Sequence, residues 1–203
     1  MGRRILIPGA EGEARREPTR PEPTRRIFFA LWPDETLRAA FAHATHKAAR
    51  ASGGRPVPTQ NLHATLLFLG SVAESRLAEV KAIGARAAAR IPSPTPPGAL
   101  NFDRIEFWKR ARVLVATTSV ASGSGHSVAS ALVGILQHDA IGAGFAPDLK
   151  PFRAHVTVAR KVARVGETPH MHEVQWPVTG LTLVESVTLA EGPRYDAIDS
   201  WTL

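Results

Sequence analysis

Two apolar runs, one in each half of the chain, are each headed by a histidine and a threonine two positions apart: "HATLLFLG" from His63 and "HVTVARKV" from His155. The constraint is geometrical. Alternate side chains of a strand share a face, so His63 with Thr65, and His155 with Thr157, project together. Strict alternation sends Leu62, Ala64, Leu66 and Phe68 to the opposite face of the first run, and Val156 and Val158 to that of the second. Each strand is thus built to bury one side and to show an imidazole and a hydroxyl on the other. A third triplet, His43-Ala44-Thr45, lies in a stretch with helical spacing. Residues two apart in a helix point about 200° apart, so that copy makes no shared site.

The segments around these runs read as strands and helices in alternation. "RIFFALW" (26 to 32) is a dense apolar strand. "PDETLRAAFAHATHKAARAS" follows as a helix, opened by Pro33 and Asp34, with Leu37, Ala40, Phe41, Ala44 and Ala48 on one stripe. After the turn "GGRPVPTQN" comes the first His-x-Thr strand, then a helix over 73 to 90. The Pro-rich "IPSPTPPG" (91 to 98) divides the halves. The second half gives two strands, "ALNFDRIEFW" and "ARVLVATTS", joined at "KR" as a hairpin, and then a helix from "HSVASALVGILQHDA". The second His-x-Thr strand and two closing strands, "LTLVESVTLAEG" and "YDAIDSWTL", complete the chain. Many strands with few crossovers point to an α+β fold with mixed or antiparallel sheets.

Length and charge narrow the function. At 203 residues the chain suits one domain with a substantial core. Residues 11 to 26 mix charge with proline and carry almost no large apolar groups, so residues 1–25 are expected to be a disordered basic, Pro-rich extension, with the folded domain over 26–203. The first 26 residues hold seven arginines against four glutamates, so the net +7 leaves +4 for the rest. A mildly basic body suits an anionic ligand. There is no cysteine, which removes disulfides, thiolate nucleophiles and cysteine-ligated zinc. No apolar window is long enough to span a bilayer and the N-terminal apolar stretch is too short for a secretory signal, so the expected setting is the cytoplasm.

Other motifs have plainer readings. His170 and His172 in "HMH", with Glu173 adjacent, lie in a loop-like segment with no obvious third ligand, and are read as surface histidines. "ASGSGHS" (121 to 127) joins a strand to a helix but lacks a P-loop lysine, and is read as a connector. Trp32, Phe152 and Tyr195 have rings suited to stacking a base, but the core is the expected place for each.

The paired triplets, in this setting, resemble the two-histidine phosphoesterases, and among them the RNA 2′,3′-cyclic phosphodiesterases, historically called 2′-5′ RNA ligases. "RIFFALWPDE" looks like that family's opening strand, "NLHATLLFLG" its first motif and "PFRAHVTVARKV" its second, while "EGPRYDAIDSWTL" resembles its closing segment. The likeness runs from residue 26 to the C-terminus, with Ala154 standing where a proline is common.

The resemblance implies a bilobal α+β fold, with two sheets around a central groove and helices outside. It makes His63 and His155 the catalytic pair, flanking a phosphate whose oxygens are held by Thr65 and Thr157. Arg160 matches an arginine the family uses near the phosphate. Strict alternation would put position 160 opposite His155, so that role requires a strand end, a bulge or a side chain reaching round. The implied reaction is metal-independent and cofactor-free hydrolysis of an RNA or nucleotide 2′,3′-cyclic phosphate end to a 2′-phosphomonoester by a monomer. His155 is assigned as base and His63 as acid, although the sequence is symmetric between them. In reverse, a 5′-hydroxyl attacking the cyclic phosphate would form a 2′-5′ linkage. Two alternatives stand beside this: a nucleotide- or RNA-binding module without turnover, and a phosphodiesterase acting on 2′-5′ oligoadenylates or another cyclic-phosphate nucleotide.

Overall fold

The computed structural model describes residues 22–92, 98–119, 123–163, 170–190 and 192–203. The expected N-terminal extension falls almost entirely outside these residues, as do parts of the Pro-rich divider and of the "ASGSGHS" connector. Three helices and ten strands are present among the described residues.

The strands are β1 (Thr24–Leu31), β2 (Arg55–Pro56), β3 (Ala64–Ala73), β4 (Ala99–Phe102), β5 (Arg104–Trp108), β6 (Val113–Thr117), β7 (His155–Arg160), β8 (Val174–Pro177), β9 (Gly180–Leu189) and β10 (Gly192–Thr202). One four-stranded sheet has the order β10-β9-β1-β3, a second β2-β7-β6-β5, and β4 pairs with β8 alone. Each described pairing is antiparallel. The α+β class is thus observed, with one His-x-Thr strand in each large sheet.

The helices are α1 (Glu35–Ala51), α2 (Leu77–Ala89) and α3 (Ser124–Gly142). Asp34 starts α1 by accepting a hydrogen bond from the Leu37 amide at 2.7 Å, a cap that contributes about 1 kcal/mol. α2 packs on β9 and β10, α3 on β3 and β4, and α1 on β2, β7 and β8. Gly84 lets α2 approach this closely, because a Cβ there would lie 2.9 Å from the Phe29 ring and collide with Trp201. Ile27, Phe29, Leu31, Phe41, Leu114 and Leu132 fill the main core.

Several expectations shift. The chain is engaged before residue 26: β1 starts at Thr24, and the Pro23 carbonyl accepts from the Glu74 amide at 3.0 Å. "ALNFDRIEFW" is broken at Asp103 into two strands in different sheets. The turn "GGRP" contains β2, and β8 follows the "HMH" segment. Both are short edge strands with no periodicity of their own.

Candidate active site

The two His-x-Thr strands line one cavity of about 700 Å³, which is shared by His63, Thr65, His155, Thr157 and Arg160. All five residues singled out in the sequence therefore meet. Their backbones explain how.

Both strands carry a bulge just after the threonine. In β7, Thr157 faces Val115 and Ala159 faces Leu114, which leaves Val158 without a partner in β6. Val158 and Ala159 are both buried, so the alternation slips by one and Arg160 returns to the face of His155 and Thr157. In β3, Thr65 faces Ala30 and Leu67 faces Phe29, leaving Leu66 over. Leu66 and Leu67 are both buried, and Phe68 turns outward to line the groove. This corrects the expectation that Phe68 shares the core face with Leu66.

The histidines are anchored alike. His63 Nδ1–H donates to the Asn61 carbonyl and His155 Nδ1–H to the Arg153 carbonyl, each at 2.8 Å and each two residues upstream. Both tautomers are fixed by backbone, and Nε2 is left as the nitrogen for chemistry.

Their surroundings differ. His63 lies in an aromatic cage, with ring centroids 4.9 Å from Phe28, 4.9 Å from Tyr195 and 5.8 Å from the nearly parallel Trp32. Burial there lowers its pKa from 6.5 to about 4; the bond to Asn61 opposes that shift, and the charges of Arg160 and His155 add to it. His155 packs against Trp108, centroid 4.5 Å away, and burial lowers its pKa too, opposed by the Arg153 carbonyl and reinforced by the Arg153 charge. Both shifts favour the neutral imidazole.

Phe152 lines the groove while packing against the main core, as expected; Tyr195, which also lines the groove, and Trp32 instead join Phe28 and Phe68 in a cluster apart from the main core, so the expectation is corrected for these two rings. The Tyr195 hydroxyl accepts from an Arg160 guanidinium nitrogen at 3.3 Å. Sequence reasoning missed Trp108, Arg153 and Asn61. Glu106 ties the first two together, accepting from the Trp108 indole at 3.1 Å and bonding Arg153. The sequence held no signal for them: any residue at 61 or 153 offers the backbone carbonyl, and Trp108 is brought to His155 only by the fold. His170 and His172 precede β8, and no group of three metal-ligating side chains is gathered among the described residues. No helix there is long and apolar enough to cross a membrane.

Two lobes that each lend a His-x-Thr strand to a common groove make the arrangement of a two-histidine phosphoesterase. The "LigT like Phosphoesterase" family model matches residues 31–115. The chain is 32% identical over 180 residues to an RNA 2′,3′-cyclic phosphodiesterase of Thermus thermophilus, covering 88% of this chain and 90% of that protein. It is 31% identical over 183 residues to the Escherichia coli K12 RNA 2′,3′-cyclic phosphodiesterase, covering 88% and 97%. The crystal structure of E. coli LigT with 3′-AMP superposes with a TM-score of 0.74 at 27% identity, over 89% of this chain and 99% of that one. The chain belongs to the LigT-like phosphoesterase family.

Proposed function

We propose that the protein hydrolyses RNA 2′,3′-cyclic phosphate ends to 2′-phosphomonoesters, with His63 and His155 as its acid and base. The observation that carries this reading is the pair of imidazoles, each held through Nδ1 by backbone and each lining the same cavity. Relatives named RNA 2′,3′-cyclic phosphodiesterase over most of the chain support it.

Ring opening needs a proton removed from water as its oxygen attacks phosphorus, and a proton delivered to O3′ as the P–O3′ bond breaks. One neutral and one protonated imidazole on either side of the phosphate do both. His155 serves as base and His63 as acid. For that, the phosphate must raise His63 well above its value in the empty groove. The substrate anion supplies this effect directly, since it offsets the Arg160 charge that disfavours the imidazolium. The Thr65 and Thr157 hydroxyls and the Arg160 guanidinium hold the non-bridging oxygens, where charge builds in the transition state. A single chain contributes all five groups, so a monomer is sufficient.

His63's low pKa in the empty groove favours a second reading, in which His63 is the base and His155 the acid. The chemistry and product are the same.

The test is incubation of a short RNA ending in a 2′,3′-cyclic phosphate with the protein in EDTA, with the product ester located by NMR. A 2′-phosphate is expected. A 3′-phosphate would overturn the regiochemistry, and intact substrate with folded protein would leave the binding-module reading.

A further inference from the structure

A second cavity, of about 960 Å³, lies on the other side of Arg160 and Tyr195. These two residues line both cavities and are bonded to each other, so they form the wall between them. The second cavity is larger than the catalytic one. It is bounded by β2, the end of β7, the end of β9 and the start of β10.

Among the described residues, its lining is mainly basic. Arg55, Arg160, Lys161 and Arg194 line it, and among the described lining residues only Asp196 is acidic. Arg55 and Arg160 are directly opposite in the β2–β7 register, so their side chains leave the sheet on one face. Lys161 holds a left-handed backbone with φ 56°, a conformation uncommon for a lysine, immediately after Arg160. Asp196 bonds Arg194 at 2.9 Å, and both side chains are largely exposed, so that pair holds the arginine only weakly.

Val57, Pro58, Leu189 and Pro193 add apolar surface to the same lining. A polyanion whose charges are separated by flat apolar groups matches that surface, and single-stranded RNA has this character. The position decides which part of the RNA fits. A strand whose cyclic phosphate lies between the histidines must leave the catalytic cavity, and the basic groove adjoins that cavity across Arg160 and Tyr195.

We propose that this second groove binds the phosphodiester backbone of the nucleotides on the 5′ side of the cyclic end, with Lys161 and Arg194 contacting phosphates. The proposal rests on the phosphodiesterase reading for which end of the strand lies in the catalytic cavity. It makes the preferred substrate an oligoribonucleotide rather than a mononucleotide. Lys161 and Arg194 line only the second groove, so their contribution is separable from the chemistry.

The experiment is fluorescence anisotropy with a labelled short oligoribonucleotide ending in a 2′-phosphate, with adenosine 2′-phosphate as the mononucleotide competitor, across a range of salt. Wild type and the double variant Lys161→Gln/Arg194→Gln are compared. The oligonucleotide should bind wild type more tightly than the mononucleotide. In the double variant its affinity should drop about tenfold, and the slope of log K against log salt should fall by about 1.4, for two lost single-strand phosphate contacts. Mononucleotide affinity should stay within about twofold. Equal binding of the two probes by wild type, an unchanged salt slope in the variant, or equal losses for both probes would each overturn the proposal. Anisotropy does not depend on turnover. Failure of wild type to hydrolyse a cyclic-ended RNA would overturn the phosphodiesterase reading while the binding result stood on its own.

Discussion

Phe68 and Arg160 occupy the same place in their two strands, three residues after the motif threonine and just beyond a bulge that turns them back toward the groove. One position presents a ring and the other a cation. The ring at Phe68 is itself covered by the Arg26 guanidinium, 4.7 Å from its centroid. The pseudo-symmetry of the motifs therefore ends here: β7 carries its cation on the motif strand itself, while on the β3 side the guanidinium that lines the groove is Arg26, from β1.

That asymmetry makes Arg160 the residue to test first. Arg160→Ala should lower kcat/KM on a nucleoside 2′,3′-cyclic phosphate by about 10²–10³. Arg160→Lys should recover only part of this, since it restores the charge but not the forked donors. Steady-state kinetics decide the matter. An alanine variant within about threefold of wild type would remove Arg160 from the phosphate site.

How the site arises was only half legible in the sequence. Period-two patterning was enough to place His63 with Thr65 and His155 with Thr157, because both pairs precede the bulges. It failed at Phe68 and Arg160, because a bulge is a matter of register with the partner strand. Leu66 and Val158 are ordinary apolar residues that look the same paired or unpaired. The short strands β2 and β8 failed for a different reason: two and four residues at a sheet edge have no periodicity to read. The aromatic cage around His63 draws Phe28 and Trp32 from the β1 region and Tyr195 from β10, so only tertiary structure brings it together.

Removing either histidine should abolish turnover without unfolding the chain. His63→Ala and His155→Ala are each expected to lose about 10²–10⁴ in kcat, with thermal unfolding still cooperative. EDTA should leave the wild-type rate unchanged, and strong inhibition would point to a bound metal. A cyclic substrate with sulfur at the 3′ bridging position separates the roles, since a thiolate leaves without a proton. Rescue of the His63 variant alone by this substrate fits His63 as acid, and rescue of the His155 variant alone assigns the opposite roles.

The partly buried, caged His63 should also make stability depend on pH. Its folded pKa of about 4 lies below the unfolded 6.5, so between those values the unfolded chain binds the extra proton. Stability from this group is full above about pH 6.5 and is lost as pH falls toward 4, to a total on the order of 3 kcal/mol. Denaturant titrations of ligand-free protein at pH 7 and pH 4.5 measure it. His63→Phe should flatten the pH dependence, and an unchanged profile in that variant would mean His63 is not held neutral by its cage.

Activity should respond to pH in the opposite sense, because catalysis needs one imidazole protonated. Both histidines are lowered in the free protein, so few molecules carry that proton at neutral pH. The profile of kcat/KM reports the free enzyme, and should decline with rising pH from a midpoint below 6.5. The profile of kcat reports the complex, where the substrate anion favours the imidazolium, so its alkaline limb should lie at higher pH. The gap between the two limbs measures how far the bound phosphate lifts the proton-carrying histidine. Coincident limbs would mean that the phosphate leaves the imidazoles unshifted and that the proton is supplied by another group.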